Sequence, residues 1–367
     1  MRIALYCPRY NHLNLLAPLA AELLRRGHAV RYWYPAKDVA GDKDDAWRAL
    51  SGLVGGIHAF RRSGDGVMVD ALVTVGLRVP KVLRPCRWRR RFALGYHEEE
   101  ILHAHEGWWT DDAEVLTWTD AHARRLGAIC PGRTAHVVGF PELDQLAGMD
   151  RAACRATHGL PATGKIFLLM PAARAHLLRP RWAGWWYRTM PRGWPWAPRS
   201  WPGADQVPSY ASILTLIRRF ADRHGAFVVA KVRGKTPRLG PLAEVADRVI
   251  PDLSFHPFTT LELMVAADYA VGLAGGWAVE ADAAGLPHLD ILAYPQEVYE
   301  HPVLLDFRKE LYGGESGFWR GPKVYTRRGW EWLVSWASHV FAGGREPFRH
   351  DGKASSRAAD VIEALVP

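Results

Sequence analysis

Ala266-Ala267-Asp268-Tyr269-Ala270-Val271-Gly272-Leu273-Ala274-Gly275-Gly276-Trp277-Ala278-Val279-Glu280-Ala281, closed by Gly285-Leu286-Pro287, is the stretch on which the reading of this chain turns. An apolar strand runs into a tight Gly-Gly turn, and a helix follows with an acidic residue in its first turn. Glycine puts no side chain between backbone and ligand, and the N–H groups and positive dipole end of a helix favour a phosphate. Gly275 and Gly276 are therefore candidate phosphate holders. Glu280 stands where an acidic side chain reaches a ribose in dinucleotide sites.

The N-terminus opens in the same way. Ile3-Ala4-Leu5-Tyr6-Cys7 reads as a buried parallel strand. The loop Pro8-Arg9-Tyr10-Asn11-His12 leads into a helix with Leu16, Leu19, Ala20, Leu23 and Leu24 on one face, and Gly27 ends it. Ala29-Val30-Arg31-Tyr32-Trp33-Tyr34 is the next strand. His12 thus lies at the carboxyl end of the first strand of a βαβ unit, where open α/β sheets place their ligands. Further strands are expected at 70–75, 113–118, 136–138, 165–170, 226–230 and 267–272, with an amphipathic helix at 210–224. Thr119 or Asp120 caps a helix running toward Gly127. Strands alternating with helices give parallel sheets covered on both faces.

This arrangement resembles the two-domain GT-B glycosyltransferases, in which the first helix opens near a histidine and closes with Gly-His. Here Gly27-His28 follows His12 at the spacing common in that superfamily, which includes the transferase adding N-acetylglucosamine to the lipid precursor of peptidoglycan. The C-terminal half is similar to the CDP-glycerol glycerophosphotransferases and the non-hydrolysing UDP-sugar 2-epimerases. Three segments carry that similarity: Val137-Val138-Gly139-Phe140-Pro141-Glu142-Leu143-Asp144, Pro257-Phe258-Thr259-Thr260-Leu261-Glu262-Leu263 and Asp351-Gly352-Lys353-Ala354-Ser355-Ser356-Arg357. The resemblance implies an α/β fold of two Rossmann-like doubly wound domains facing across a cleft. Residues 1–150 would form the acceptor side and 151–345 the nucleotide-donor domain, with a Trp/Arg-rich insertion at about 174–208; 346–367 would cross back to the first domain. It also implies transfer of a sugar from a nucleotide sugar to a saccharide or lipid-linked acceptor in bacterial surface-polysaccharide or glycolipid synthesis. No cofactor is expected, because the nucleotide sugar is a substrate.

Within that frame His12 is the expected catalytic base, since inverting transfer needs a group near neutral pKa to take the acceptor's proton. Retaining relatives carry a second acid eight positions before the ribose-binding one. That position is Gly272, so inversion is expected. Lys231 and Arg233 follow a strand, where a cation would neutralise a diphosphate leaving group; a solvated basic loop with Lys235 and Arg238 is the other reading. Thr259 and Thr260 begin a helix and either cap it or bind phosphate. Phe255 and His256 match where the epimerase-like relatives hold the base. In the run His97-Glu98-Glu99-Glu100-Ile101-Leu102-His103-Ala104-His105-Glu106, Glu98 and Glu99 are alternative bases. The run lacks His-Glu-x-x-His spacing, and no metal site is expected.

Composition fits the class. The 367 residues suffice for two cores, and 49% are hydrophobic without a run long enough to span a membrane. No signal-peptide pattern opens the chain, and four scattered cysteines suggest a reducing compartment, so a cytoplasmic chain is expected. The insertion sets Trp182, Trp185, Trp186, Tyr187, Trp194, Trp196 and Trp201 among Arg179, Arg181, Arg188, Arg192 and Arg199. Tryptophan with arginine suits a membrane interface, an acceptor sugar or a loop packed on its own protein. A basic stretch at 84–91 with Trp88 adds to the interfacial reading, which places the enzyme at the inner face of the cytoplasmic membrane. A net charge of +9 also admits nucleic acid, but no nucleic-acid motif accompanies it, and none is expected as a partner. Three other functions compete. A CDP-linked polyol-phosphate transferase has the 351–357 tail but lacks the expected Thr-Asp-Tyr-Ser-Ser near Ala274. A UDP-sugar 2-epimerase lacks clearly matched acidic positions. A sugar- or lipid-binding module with a decayed site would keep the fold alone.

Overall fold

The computed structural model describes residues 1–9, 12–35, 57–60, 68–79, 83, 86–96, 99–109, 112–170, 210–232, 242–251, 253–272, 277–292, 323–325 and 351–366. The chain divides into two units. The first comprises Met1–Gly148, Leu253–Thr259 and Glu346–Pro367, the second Met149–Asp252 and Thr260–Arg345.

The first unit is built on β1 (Arg2–Tyr6), β2 (Ala29–Pro35), β3 (Ile57–Phe60), β4 (Met68–Val75), β5 (Arg87–Leu94), β6 (Glu114–Thr117) and β7 (Ala135–Val137). They form one sheet in the order β3-β2-β1-β4-β5-β6-β7, every pair parallel. The order reverses between β1 and β4, the switch point beside which such sheets bind ligands. Helices α1 (Leu13–Arg25), α2 (Glu99–His105) and α3 (Asp120–Ile129) connect the strands, and a 3-10 helix (Pro141–Gly148) follows β7. Thr119 caps α3, its Oγ1 accepting from the His122 N–H at 3.3 Å, and the helix runs on past Gly127.

The basic stretch at 84–91 runs into strand β5, Arg87–Leu94, where Arg87, Arg89 and Arg90 are exposed. Phe92, Ala93 and Leu94 supply its buried run and pair with both neighbours, whereas the arginine-bearing half pairs only with β4. Arg91 is buried, its guanidinium donating to Thr74 Oγ1 at 2.9 Å and to the Leu77 carbonyl at 3.2 Å. Trp88 packs against the cluster of Ala4, Tyr6, Trp33, Val69 and Leu72.

The second unit opens with α4 (Arg151–Thr157) and continues through β8 (Lys165–Met170), α5 (Tyr210–Arg223), β9 (Ala226–Val232), α6 (Leu242–Val245), β10 (Arg248–Pro251), α7 (Thr259–Ala266), β11 (Tyr269–Gly272), α8 (Trp277–Ala283), β12 (His288–Leu292) and β13 (Lys323–Tyr325). Its sheet runs β10-β9-β8-β11-β12-β13, again wholly parallel. In chain order this is 3-2-1-4-5-6, the doubly wound arrangement of dinucleotide-binding halves, with its switch point between β8 and β11. The core on one face joins Phe167 and Leu169 to Leu214, Ile217 and Ala221 of α5. Strand β9 extends two residues beyond Ala230, so Lys231 lies within the strand, opposite Ile250, instead of in a loop after it. The whole 174–208 insertion, with Trp182, Trp185, Trp186, Arg188, Trp194 and Trp196, lies outside the described residues.

The last helix, α9 (Ala354–Leu365), belongs to the first unit and packs on α1. Two of the three family-like segments meet here. Asp144 accepts from the Ala354 N–H at 2.8 Å and the Ser355 N–H at 2.6 Å, closing the open N-terminus of α9. Arg357 donates to the Val138 carbonyl at 2.7 Å and to Asp351 at 2.8 and 3.1 Å. Gly139, at φ +96°, lies beneath that guanidinium; a Cβ there would sit 2.8 Å from Arg357 Nη2. The two segments form one structural clasp.

Candidate active site

In the second unit, β11 delivers the chain to the switch point, and four residues separate its last residue, Gly272, from the start of α8 at Trp277. Glu280 sits in the first turn of α8 and is buried. Trp277 turns its ring onto the end of β11, so closely that a Cβ on Gly272 would lie 2.0 Å from it. His288, at the start of β12, meets that ring edge-on at 5.4 Å. A carbonyl can only accept, so His288 Nδ1 carries the proton it gives to the Leu286 oxygen at 3.1 Å. Burial holds this imidazole below its ordinary pKa, against the opposing pull of Asp282, and keeps it neutral at pH 7. Gly275, Gly276 and Arg233 lie outside the described residues. Lys231 is buried near the carboxyl end of β9.

The two threonines at the start of α7 differ. Thr259 Oγ1 accepts from the N–H groups of Leu253 at 3.1 Å and Ser254 at 3.0 Å, and its proton goes to the Ser254 carbonyl at 3.3 Å. That hydroxyl closes its own loop: it accepts from residues that precede the helix and not from the first-turn N–H groups of α7 that a cap would serve. Thr260 is buried to 3% exposure, and its Oγ1 has no hydrogen-bond partner among the described residues. Further along α7, Glu262 is held at 3.0 Å by His158, which ends α4.

Within the loop 253–259, Phe255 and Phe258 are both buried, their rings stacked at 6.0 Å and 13°. The Phe258 N–H donates to Gln145 Oε1 at 2.9 Å, tying the loop to the 3-10 helix. His256 between them is half-buried, which pushes its pKa down.

In the first unit His12 occupies the N-cap position of α1, with 2% of its surface exposed. Its ring lies 4.6 Å from that of Tyr96, just beyond β5, tilted by 50°. Two residues further on, Asn14 donates to Glu142 Oε2 at 2.6 Å, a buried bond from α1 to the 3-10 helix. Of the acids proposed from the His/Glu-rich run, Glu98 lies outside the described residues, and Glu99 begins α2 with its side chain outside them. The inward acid is the next one. Glu100 is fully buried and accepts from the Tyr96 N–H at 3.2 Å and Thr117 Oγ1 at 3.3 Å. His103, one turn on, reaches within 3.5 Å of where a Cβ on Gly76 would stand, at the carboxyl end of β4. The signal for Glu100 was helical period: with Ile101 and Ala104 buried, Glu100 shares their face of α2. Glu142 and Asn14 carried no comparable signal. Among the described residues no group of three or more His, Cys, Asp and Glu is placed to hold a metal ion.

No protein-family model matches the chain, and no curated protein matches it significantly in sequence. Solved structures do match over the full length. A UDP-GlcNAc 2-epimerase from Methanocaldococcus jannaschii is 13% identical with a TM-score of 0.55, covering 99% of this chain and 100% of its own. The glycotransferase of kitacinnamycin is 15% identical with a TM-score of 0.52, covering 100% and 99%. A variant of the wall teichoic acid polymerase TagF is 10% identical with a TM-score of 0.53, covering 100% and 89%. At such identities the likeness speaks to architecture alone: with two parallel sheets, each reversing strand order at a switch point, the chain has the GT-B fold.

Proposed function

We propose that this chain is an inverting, metal-independent glycosyltransferase that moves a sugar from a nucleotide sugar to a saccharide or lipid-linked acceptor. The observation that carries the reading is Glu280: a buried carboxylate in the first turn of the helix that leaves the switch point of the second sheet. A carboxylate there accepts from ribose hydroxyls, and Gly275, Gly276 and Thr260 are the residues that would hold the diphosphate. Structural neighbours that include a UDP-GlcNAc 2-epimerase and a glycotransferase support a nucleotide-sugar donor. His12 is the base that takes the acceptor's proton as its oxygen attacks the anomeric carbon. The Trp277 ring fills the space a side chain would need at position 272, which leaves no room for a second acid and supports inversion. The Trp/Arg-rich insertion suits an acceptor held at an anionic membrane surface. No helix among the described residues is long and apolar enough to cross a membrane. The Asp351 to Arg357 segment, engaged in the clasp with Val138 and Asp144, speaks for no particular donor.

The test is a thermal-shift screen of purified protein against UDP, GDP, CDP, CMP and dTDP. One nucleotide raises the melting temperature of the wild type and of His12→Ala but not of Glu280→Ala, because a ligand bound only to the native state stabilises it by mass action. Adding acceptor with the matching nucleotide sugar releases free nucleotide from the wild type and not from His12→Ala. If no nucleotide shifts the wild type, the donor pocket is wrong; sugar conversion without acceptor would make the chain an epimerase instead.

A further inference from the structure

Glu100 has no part in the transfer chemistry above, yet it is a carboxylate with no exposed surface, at the ligand-binding edge of the first sheet. Removing a carboxylate from water is costly unless hydrogen bonds replace the water. Its bonds have a clear direction. Oε2 accepts from the Tyr96 N–H at 3.2 Å and Oε1 from the Thr117 hydroxyl at 3.3 Å. The side chain lies against Gly95, where a Cβ would be 2.7 Å from Oε1. The Gly95 N–H is taken by the Leu116 carbonyl at 2.8 Å and the Gly95 carbonyl by Trp118 Nε1 at 3.1 Å. The end of β6 therefore fixes Gly95, and Glu100 fixes the backbone of Tyr96 that follows it. The Tyr96 ring lies 4.6 Å from the His12 imidazole.

We infer that Glu100 is a positioning residue for His12, acting through Tyr96: its carboxylate sets the Tyr96 backbone, the backbone sets the phenol ring, and the ring sets the orientation of the imidazole. Held at both oxygens, by the Tyr96 N–H and the Thr117 hydroxyl, the carboxyl suits a support that must not drift. A base gains from a fixed ring, because a small error in approach costs much of the rate. The kinetic consequence rests on His12 being the base, whereas the geometry does not.

The experiment is histidine NMR on full-length protein labelled at the imidazole Cε1, with His12 identified among the sixteen histidines by His12→Gln. The Tyr96 ring current displaces the His12 resonance, and Tyr96→Leu gives its undisplaced position. Glu100→Ala moves the resonance most of the way to that position. Glu100→Gln leaves it in place, since an amide oxygen still accepts from the Tyr96 N–H and the amide NH2 can donate to Thr117. If Glu100→Ala does not fold, Glu100→Asp, one methylene short, gives a partial movement of the same sign. The inference falls if Tyr96→Leu moves the signal and Glu100→Ala or Glu100→Asp does not, or if Glu100→Gln moves it as far as Glu100→Ala. In turnover, kcat drops about 10- to 100-fold in Glu100→Ala with donor KM unchanged, and Glu100→Gln restores it. Absence of turnover in the wild type overturns the transferase reading while the NMR result stands. Normal turnover and an unmoved resonance in Glu100→Ala overturn the positioning role alone.

Discussion

Only a hydrogen fits at position 272, and this fixes how Glu280 is presented. A Cβ there would lie 2.0 Å from the Trp277 ring, so Gly272→Ala must displace Trp277 or tilt α8. Overpacking of this kind costs about 1–3 kcal/mol. Because Trp277 and Glu280 share the first turn of α8, the same substitution weakens nucleotide binding along with stability. Urea unfolding with a nucleotide titration on Gly272→Ala checks both, and a stability loss with undiminished affinity would uncouple the ring from the pocket. At this scale the sequence was readable where position along an element decided the matter. His12 and Glu280 could be placed at the starts of α1 and α8 because each stands at the junction of an apolar strand pattern with a helix. Glu100 was passed over because its neighbours Glu98 and Glu99 have the same chemistry, and the helical period that sets Glu100 on the face of Ala104 went unused. The division of labour between Thr259 and Thr260 was equally hidden, since it depends on how the loop from Leu253 closes.

Among the elements, α9 borrows the cap that its own N-terminus lacks. Lys353 at its N-cap position makes no side-chain cap, and the carboxylate of Asp144 supplies it from the 3-10 helix. Asp144→Ala leaves two N–H groups of the first turn without an acceptor at the positive end of the helix, for a loss of about 1–2 kcal/mol. Asp144→Asn recovers part of it, as one oxygen still accepts. Urea midpoints of the three proteins decide this, and equal midpoints for wild type and Asp144→Ala would mean that water replaces the cap at no cost. The segments 137–144 and 351–357 were legible as family-like, but their partnership was not, because nothing local in either one names the other. Strands β1 and β8 could be read from their continuous apolar runs. Strand β5 could not, since four arginines in its first five positions hide the buried Phe92-Ala93-Leu94 behind them. The short β3, β10 and β13 are too brief to show a period. Strand order is a property of pairing between distant segments, and it entered the sequence reading only through the rule that alternating strands and helices wind into parallel sheets.

Taken as a whole molecule, the chain begins and ends in the same unit, and α1 meets α9 through an ion network. Arg26 donates to Glu22 at 2.8 Å, to Asp360 at 2.7 Å and to Glu363 at 2.7 Å, and His28 Nε2 lies 2.7 Å from Glu363. Hydrogen bonds from Arg25 and then Arg26 hold the Glu22 carboxyl down at about 2 despite burial, which pulls the other way. His28 first, then Arg26, hold Glu363 below the usual carboxylate range. A carboxyl whose pKa is lowered by folding contributes its full stability above the unfolded value, near 4.5 for Glu22, where both states are ionised. Below that pH the unfolded chain takes up protons first, and the contribution drains away as pH falls toward about 2. The melting temperature of the first unit therefore falls between pH 4.5 and 2, and calorimetry across that window follows it. In a Glu22→Gln, Glu363→Gln protein the melting temperature at pH 7 is lower, and its decline over the same window is shallower, because two of the groups that would bind protons on unfolding are gone. Raised salt lowers the wild type toward the variant at pH 7, as these groups are partly exposed and screened. A decline equally steep in both proteins would place the acid sensitivity in other carboxylates, and α9 would then be held to α1 by packing and by its Asp144 cap alone.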